Sequence, residues 1–238
     1  NYAEHIMASR ALRLILLMSF ATALNAEPLK EIALTIDDVP FVGSARDSEH
    51  SKHINDRLID ILQTLINEDV PATLFVVTGS MRKNQWAILD SYRQKGLTLA
   101  NHTETHLNLN KVGTERYLKD LDLANQKLNH YMDGVKYFRY PYLAYGQGEK
   151  RQAIRNYLSD HQYVIAPVTI DSRDFKFNVE LTSQRVDNRL SYLKSLKTRY
   201  LNYIWKETLQ AERFARGQPK RQILLIHANL LNSHALQD

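Results

Sequence analysis

Residues 31–40 read Glu-Ile-Ala-Leu-Thr-Ile-Asp-Asp-Val-Pro. The run is short, apolar and rich in strand-forming residues, and it ends in the adjacent carboxylates Asp37 and Asp38. This pattern predicts a buried strand that delivers both carboxylates to the following loop. An isolated Asp-Asp pair also fits a simple cap of the next turn. Whether Asp37 and Asp38 have a chemical or a structural role therefore depends on the other residues of the chain.

Outward from this stretch, strand-like and helix-like runs alternate along the chain. Apolar residues between 56 and 68 recur at the spacing of one helical face. We predict further strands at residues 72–77, 97–100, 137–139, 163–170 and 222–226, and helices at residues 56–68, 85–95, 115–132, 150–160 and 178–217. An alternation this regular predicts an α/β fold in which helices cover a parallel sheet.

Polar residues follow most of the predicted strands at the point where each strand ends. They are Asp37 and Asp38, His102 and His106, Arg139, Asp171 and Asp174, and His227. Active sites of α/β barrels collect at the carboxyl ends of the strands, so side chains far apart in sequence can meet there. A doubly wound sheet instead concentrates its site at one switch point. We therefore predict a barrel.

The segment His102-Thr-Glu-Thr-His106 contains the pair of residues best suited to bind a metal. On a helical turn, residues i and i+4 lie on the same side, which would bring both imidazoles to one ion. The chain has nine histidines, so one such spacing can arise by accident. Two histidines and one carboxylate would form a three-ligand site that keeps a position for water, and a second carboxylate would be free to act as a general base.

Five segments, in this order, resemble the motifs of the polysaccharide deacetylase family, also called the NodB-homology family or carbohydrate esterase family four. Residues 35–40 (Thr-Ile-Asp-Asp-Val-Pro) are similar to T-F-D-D-G-P, and residues 102–106 to H-[ST]-x-x-H. Residues 139–142 (Arg-Tyr-Pro-Tyr) resemble R-x-P-Y, and residues 171–175 (Asp-Ser-Arg-Asp-Phe) resemble D-x-x-D-W. Residues 224–227 (Leu-Leu-Ile-His) resemble L-x-L-H.

The resemblance implies a distorted (β/α) barrel, similar to a TIM barrel, with seven strands. It implies that Asp38, His102 and His106 hold a divalent metal, above all zinc, with cobalt or nickel as replacements. It also implies a hydrolase that removes N-acetyl groups from a polysaccharide containing N-acetylglucosamine, such as a chitin-like oligomer, peptidoglycan or poly-N-acetylglucosamine.

The same resemblance implies roles for five further residues. Asp37 would act as general base and His227 as general acid, while the backbone N–H of Tyr142 would stabilise negative charge on the acetyl oxygen. Arg139 would pair with Asp37 and keep it ionised. Asp174 would orient His227 and favour its charged form. We prefer Asp174 to Asp171 for this role, because Asp174 directly precedes the aromatic residue of the motif.

Three features depart from the family pattern. Val39 stands where the first motif has glycine, so the loop would lack the backbone freedom of glycine. Phe175 stands where the fourth motif has tryptophan and lacks the indole N–H. The chain ends at Asp238, soon after His227, where family members continue into a further helix. We therefore expect a barrel that is truncated at its carboxyl end.

The composition limits which residues could bind a metal and which partners the protein could have. The chain has no cysteine, so any metal must sit on His, Asp or Glu. Lys and Arg are interleaved with Asp and Glu, and the formal net charge is only +5. Without a concentrated basic stripe, we expect no nucleic-acid binding. The family resemblance implies an acetylated glycan as the partner.

The amino-terminal residues have the order of a secretory signal peptide: basic residues, an apolar stretch at residues 14–23, and small residues at candidate cleavage sites. A buried amphipathic helix is the alternative. The apolar stretch is too short for a stable membrane span. We expect residues 1–26 to be upstream residues and a signal peptide, residues 27–238 to be the catalytic domain, and the protein to be exported to the periplasm or the cell exterior.

Two other functions remain open at this stage. The same metal site could cleave an acetyl ester or another non-peptide C–N bond on a different acylated substrate. Alternatively, the chain could be a catalytically silent carbohydrate-binding protein that kept the fold. A silent protein would have lost the base, a metal ligand or the acid. All five are present, namely Asp37, Asp38, His102, His106 and His227.

Overall fold

The computed structural model of the protein describes residues 31–42, 48–215 and 221–238. The predicted signal peptide and the last two residues of the helix predicted at 178–217 lie outside the described residues. Within the described ranges, no helix is long and apolar enough to cross a membrane.

Strands and helices alternate along the described chain. The strands are β1 (Ile32–Val39), β2 (Ala72–Val76), β3 (Thr98–Asn101), β4 (Lys136–Phe138), β5 (Tyr163–Ile165), β6 (Ile170–Asp171) and β7 (Gln222–His227). The helices are α1 (Ser48–Asn67), α2 (Lys83–Arg93), α3 (Thr114–Leu128), α4 (Gly148–Asp160), α5 (Asp174–Thr182), α6 (Arg189–Phe214) and α7 (Asn232–Ala235).

The strands of the described chain form one seven-stranded sheet in the order β5-β4-β3-β2-β1-β7-β6. Neighbouring strands are parallel throughout. In the pair β1 and β7, Asp37 lies opposite His227, so two predicted site residues are adjacent at the strand ends. The sheet curls into a half-barrel with helices, which confirms the predicted α/β barrel-like fold with seven strands.

The strand predicted at residues 163–170 is wrong, because the structure contains two strands there. β5 and β6 lie at opposite edges of the sheet, and the segment between them crosses from one edge to the other. Pro167 lacks the N–H that a ladder needs. The carbonyls of Ala166 and Pro167 instead accept hydrogen bonds from Arg139 Nε (3.4 Å) and Nη2 (3.1 Å). The short crossing keeps the two edges within about 18 Å of each other.

The helix predicted at residues 178–217 is also divided. α5 begins earlier, at Asp174, and α6 begins at Arg189. The Arg189 guanidinium donates hydrogen bonds to the carbonyls of Thr182 (3.0 Å) and Gln184 (3.3 Å). These bonds satisfy carbonyls that the end of a helix leaves without partners, so the chain can stop α5 and start a second helix.

Two apolar clusters hold the site in place. The main cluster packs β1 and β2 against α1 and includes Ile36, Leu58 and Leu74, each with 0% relative exposure. A second cluster joins α6 to the segment after β7 and includes Leu196 and Leu231. Burying one such side chain contributes about 1.5–3 kcal/mol. The second cluster therefore anchors the residues that follow the last strand.

Candidate active site

Polar side chains gather at the carboxyl ends of the parallel strands, as predicted for a barrel. They surround a cleft of about 540 Å³. Its lining includes Asp37, Asp38, His102, His106, Tyr142, Leu143, Asp171, Phe175, Val179 and His227. The cleft thus brings together residues from β1, from the loops after β3 and β4, from β6 and α5, and from β7.

Asp38, His102 and His106 lie close together on one side of the cleft. Asp38 Oδ1 is 2.9 Å from His106 Nε2 and 3.4 Å from His102 Nε2, and one ligand atom from each residue lies within 4.8 Å of the other two. Burial raises the pKa of the Asp38 carboxyl, but the adjacent imidazoles outweigh this effect and hold the pKa well below its usual range. Asp38 is therefore an anion beside two imidazole nitrogens.

These three residues fit a divalent metal. Asp38 Oδ1 is buried and accepts no well-oriented hydrogen bond from any described residue, despite its short distances to both imidazoles. His102 Nδ1 lies 2.9 Å from the Arg139 carbonyl oxygen, which can only accept. In the neutral ring the lone pair is therefore on Nε2, where a metal would bind. Two ligands of a tetrahedral zinc ion lie about 3.3 Å apart. The three ligand atoms, all within 4.8 Å of one another, are therefore close enough to share one ion.

The prediction that His102 and His106 share a helical turn is wrong. Residues 102–106 form a loop in which Thr103 (φ 69°) and His106 (φ 56°) are left-handed. Local side chains replace the helical hydrogen bonds: Asn101 Oδ1 accepts from the Thr103 N–H (2.7 Å), and Thr103 Oγ1 accepts from the His106 N–H (3.0 Å). Such side-chain bonds compete with helix formation.

Asp120 on α3 is a site residue that the sequence analysis missed. Its Oδ2 accepts hydrogen bonds from the N–H groups of Glu104 and Thr105 (both 3.1 Å), and its Oδ1 accepts from Thr105 Oγ1 (2.5 Å). On the other side of the loop, Gly79 donates to the Glu104 carbonyl (2.8 Å), and a Cβ on Gly79 would lie 2.5 Å from that oxygen. The loop that carries both histidines is thus clamped from α3 and from the end of β2.

Asp37 and Arg139 form a buried ion pair inside the half-barrel. Arg139 Nη1 is 2.7 Å from Asp37 Oδ1 and 2.7 Å from Thr35 Oγ1. The guanidinium also lies over the Phe75 ring, 4.3 Å from its centroid. Asp37 Oδ2 lies 3.6 Å from His102 Nε2. One carboxylate oxygen is therefore held by arginine, and the other lies next to the candidate metal ligands.

His227 and Asp174 form a second pair on the opposite side of the cleft. His227 Nδ1 is 2.6 Å from Asp174 Oδ1, and the His227 N–H donates to Asp174 Oδ2 (2.6 Å). Burial opposes a charge on His227, but the Asp174 carboxylate outweighs it and raises the pKa of His227 to about 9. Asp171 does not take this position; its Oδ1 accepts from the Arg173 N–H (2.9 Å). The pair presents a protonated imidazole to the cleft.

Tyr142 lies on the cleft wall in a left-handed conformation (φ 58°). Its ring centroid is 4.5 Å from that of His106, and 65% of the residue is exposed. Left-handed conformations are uncommon for residues other than glycine and cluster at functional sites. Asp38 (φ 61°), near the end of β1, and Arg173 (φ 49°), after β6, share this conformation. The strand ends of this protein therefore carry several strained positions.

The two replaced motif residues occupy different environments. Val39 has 1% relative exposure and belongs to the core; the positive φ falls on Asp38, so glycine is not required at position 39. Phe175 is 48% exposed and lies in the cleft wall, with its ring centroid 6.3 Å from that of His227. The tryptophan-to-phenylalanine change thus keeps an apolar surface beside the imidazole.

Comparisons with known proteins identify the family of the chain. The family model of polysaccharide deacetylase matches residues 25–165, so the chain belongs to the polysaccharide deacetylase family. Members of this family generally use a divalent metal. No curated protein matches the chain.

Several solved structures share the fold. A chitin deacetylase from the fungus Colletotrichum lindemuthianum is 20% identical, with a TM-score of 0.57 over 87% of this chain and 78% of that one. The peptidoglycan N-acetylglucosamine deacetylase Bc1960 is 20% identical, with a TM-score of 0.56 over 88% and 79%. A mutant of BA3943, a pseudoenzyme from Bacillus anthracis, with restored enzymatic activity, is 22% identical, with a TM-score of 0.57 over 89% of this chain. The chain spans 61% of the length of that pseudoenzyme.

Proposed function

We propose that the protein is a metal-dependent hydrolase that removes N-acetyl groups from a glycan containing N-acetylglucosamine. The observation that carries the proposal is the convergence of three candidate metal ligands, a carboxylate base and a charged imidazole on one cleft. Membership of the polysaccharide deacetylase family supports the reaction class. Zinc is the metal that we expect, with cobalt or nickel as replacements.

The residues on the metal side of the cleft are Asp38, His102 and His106. A divalent ion bound by them would supply Lewis-acid polarisation of the acetyl carbonyl and would lower the pKa of water towards about 7. The hydrogen bond from His102 Nδ1 to the Arg139 carbonyl would keep the ring oriented, because the nitrogen that does not bind the metal is held by an acceptor.

Two proton transfers complete the reaction. Asp37 accepts a proton from water as the water oxygen bonds to the acetyl carbon. The C–N bond then breaks, and the sugar nitrogen takes a proton from His227, which gives an amine and acetic acid. The acid loses its proton to solvent and leaves as acetate. One proton enters the site at Asp37 and one leaves at His227, so a proton transfer through solvent restores the starting state.

Other residues orient these groups. The ion pair with Arg139 fixes Asp37 Oδ1, so that Oδ2 can face the water. The backbone N–H of Tyr142 is proposed to donate to the acetyl oxygen as charge develops on it. The exposed rings of Tyr142 and Phe175 on the cleft walls suit the apolar face of a sugar and the acetyl methyl group.

The cellular location of the protein is proposed from its amino-terminal sequence. Its signal-peptide pattern supports export to the periplasm or the cell exterior, where polymers of N-acetylglucosamine are accessible, with residues 27–238 as the catalytic domain. Detection of the processed protein in the periplasmic or culture fraction, with its amino terminus read by sequencing, tests this proposal. Retention of an uncleaved chain in the cytoplasm would contradict it.

The same cleft also fits an acetyl ester, because the site addresses the acetyl group and not the group that carries it. The Xyl-CE4 domain of a multidomain xylanase from a termite hindgut metagenome (Trinervitermes trinervoides) shares the fold at 20% identity, with a TM-score of 0.53 over 87% of this chain and 80% of that domain. Comparison of chitin oligomers with acetylated xylan as substrates separates the two candidates.

The experiment is acetate release by the purified protein after its metal has been stripped, with and without added zinc. We expect zinc-dependent release from N-acetylglucosamine oligomers, and a loss of about 10² to 10⁴-fold in kcat for Asp37→Asn, the range of a general base. Asp90→Asn on the remote helix α2 is the matched control and should leave the rate unchanged. If a folded, zinc-loaded protein releases acetate only from acetylated xylan, the substrate is an acetyl ester and not a glycan amide. If it releases acetate from neither substrate, the proposed deacetylation of glycans is contradicted.

A further inference from the structure

Asp174 lies in a buried polar network behind His227. It has 0% relative exposure, and its Oδ1 faces His227 Nδ1. Its Oδ2 accepts three hydrogen bonds, from the His227 N–H (2.6 Å), Asn229 Nδ2 (2.9 Å) and Asn232 Nδ2 (2.6 Å). The His227 ring N–H on Oδ1 and the three groups on Oδ2 are all donors, so the surroundings of Asp174 suit a carboxylate and not a carboxylic acid.

Asn232 is the residue of this network that touches both members of the pair. Its Nδ2 donates to Asp174 Oδ2 and to the His227 carbonyl (2.9 Å), and its N–H donates to Asn229 Oδ1 (2.9 Å). Its Oδ1 accepts from the Tyr200 hydroxyl on α6 (2.9 Å). Asn232 has 2% relative exposure and does not line the cleft, so it can act on the reaction only through the pair.

The Tyr200 hydroxyl fixes the direction of the Asn232 amide. An amide can rotate by half a turn and exchange its donor and acceptor ends, which would turn Oδ1 towards the Asp174 carboxylate. A hydrogen bond donated to Oδ1 opposes that rotation. Tyr200 also has 2% relative exposure. The orientation of the amide is therefore built into the packing of α6 against the last segment of the chain.

We infer that Asn232 is a positioning residue for the general acid: together with Asn229 and Tyr200, it holds Asp174 so that the imidazole of His227 directs its Nε2 proton to the leaving nitrogen. This inference rests on the proposed function, because it takes His227 as the proton donor. No motif in the sequence points to Asn229 or Asn232.

The leaving group separates a positioning role from a structural one. A sugar amine cannot leave without a proton, whereas 4-nitrophenolate leaves as a stable anion. A variant that misplaces the acid should therefore lose activity on an N-acetylglucosamine oligomer and keep it on 4-nitrophenyl acetate. A variant that merely loosens the fold or weakens metal binding should lose activity on both substrates.

The experiment compares the zinc-loaded native protein with Asn232→Asp and His227→Gln on these two substrates. Asn232→Asp keeps the size of the side chain but points an oxygen at Asp174. We expect its kcat on the oligomer to fall about 10 to 10²-fold, part of the full contribution of a general acid, with KM unchanged and less than about threefold loss on the ester. His227→Gln should show the same selectivity with a larger loss.

The outcomes distinguish the inference from the function on which it rests. The inference would be overturned if Asn232→Asp lost activity equally on both substrates, or lost none on the oligomer. In that case the native activity and a selective loss in His227→Gln would still support His227 as the general acid. A native protein without activity on the oligomer, or a His227→Gln variant that loses both activities equally, would overturn the proposed role of His227 and the inference with it.

A second pair of variants decides the question if Asn232→Asp does not fold. Tyr200→Phe removes only the hydroxyl that orients the Asn232 amide. Tyr92→Phe is its matched control, because Tyr92 is also buried and its hydroxyl also donates to an amide oxygen, that of Gln63 (2.9 Å), away from the cleft. We expect Tyr200→Phe to lower kcat on the oligomer about 3 to 10-fold and to spare the ester, and Tyr92→Phe to spare both. Identical behaviour of the two variants would overturn the inference.

Discussion

At the residue scale, the site depends on charges that water barely reaches. The Arg139 side chain has 0% relative exposure and the Asp37 side chain 4%, and their closest atoms are 2.7 Å apart. A buried ion loses its hydration, and only a well-placed partner compensates for that loss. Removing one partner leaves the other charge buried and uncompensated, so the pair matters for stability as well as for the direction of the Asp37 carboxylate.

Arg139→Leu should lower the free energy of unfolding by about 3–5 kcal/mol, because it leaves the Asp37 charge without its partner. The double variant Arg139→Leu/Asp37→Asn should recover part of that loss. Urea unfolding followed by circular dichroism measures both values. Arg221→Leu removes an exposed ion pair with Glu31 and serves as the control, with little change expected. Equal losses in the single and double variants would argue against a compensated pair.

The charge on His227 predicts a dependence of stability on pH. Asp174, Asp38 and Asp37 face this imidazole and, against its burial, raise its pKa to about 9. A pKa above that of the unfolded chain means that the charged form favours folding: the contribution is complete below about pH 6.5 and is lost as pH rises through about 9. Metal-free native protein should therefore be more stable than metal-free His227→Gln at pH 6, and the difference should disappear by pH 10.

Thermal unfolding of both proteins across this range measures the effect. Asp174→Asn removes the main cause of the raised pKa, so its loss of stability should begin at a lower pH than in the native protein. A stability difference between native and His227→Gln that stays constant from pH 6 to pH 10 would show that the imidazole does not titrate there.

At the element scale, the loop between β3 and α3 determines where the two histidines lie. Its shape comes from Asn101 and Thr103 within the loop and from Asp120 outside it. These three residues are not among the candidate metal ligands. They hold the backbone in the left-handed turns that bring both imidazoles to Asp38.

Asp120→Ala should weaken zinc binding about 10 to 100-fold, the range seen when the support of a ligand is removed. All three ligands remain in this variant, but the backbone of Glu104 and Thr105 loses its acceptor. Competition with a chromophoric chelator measures the affinity. Asp122→Ala on the same helix is the matched control, because Asp122 contacts Tyr157 and Gln126 instead. Equal zinc affinities of the two variants would rule out a clamp.

The same loop shows why part of the site could be predicted from the sequence and part could not. The strand ends follow from apolar runs of strand length, so the sequence alone indicates which polar residues collect at one edge. The spacing of His102 and His106 suggests a helical turn, and only contacts from other elements exclude it. Asp120 had a detectable signal, since it is a charged residue on the face of α3 that buries Tyr117, Leu121 and Ala124.

The two predicted elements that were wrong fail for a related reason. The crossing between β5 and β6 depends on carbonyls that bind the Arg139 guanidinium, and the break between α5 and α6 depends on the Arg189 side chain. In the first case the arginine is distant in sequence, and in the second it lies just after the break. In both cases its guanidinium donates hydrogen bonds to the carbonyls of the segment. Hydropathy patterns carry no information about such contacts.

At the scale of the whole molecule, the half-barrel joins groups from both ends of the described chain. β1 carries Asp37, the proposed base, and Asp38, a candidate metal ligand. β7, its neighbour in the sheet, carries His227, the proposed acid. The segment after β7 returns beneath α6 and completes the surroundings of Asp174. Because the site draws on so many elements, metal binding should stabilise the fold as a whole.

Zinc should therefore raise the melting temperature of the metal-free protein. Binding to the folded state alone adds about 2.7 kcal/mol at a free ligand concentration of 100 times Kd. Thermal unfolding at increasing zinc concentrations measures the shift. His106→Ala should show little or no shift, whereas His53→Ala, which alters a histidine outside the cleft lining, should respond as the native protein does. An equal shift in the native protein and His106→Ala would place the zinc elsewhere.

The most direct measurement is a titration of metal-free protein with zinc, in which bound metal and the rate of acetate release from an N-acetylglucosamine oligomer are followed together. A metal-dependent deacetylase with its ion at Asp38, His102 and His106 predicts a rate that rises in proportion to bound zinc and saturates at one ion per chain, with no rise in Asp38→Ala. Full release before any zinc is added, or one tightly bound ion without release, would contradict it.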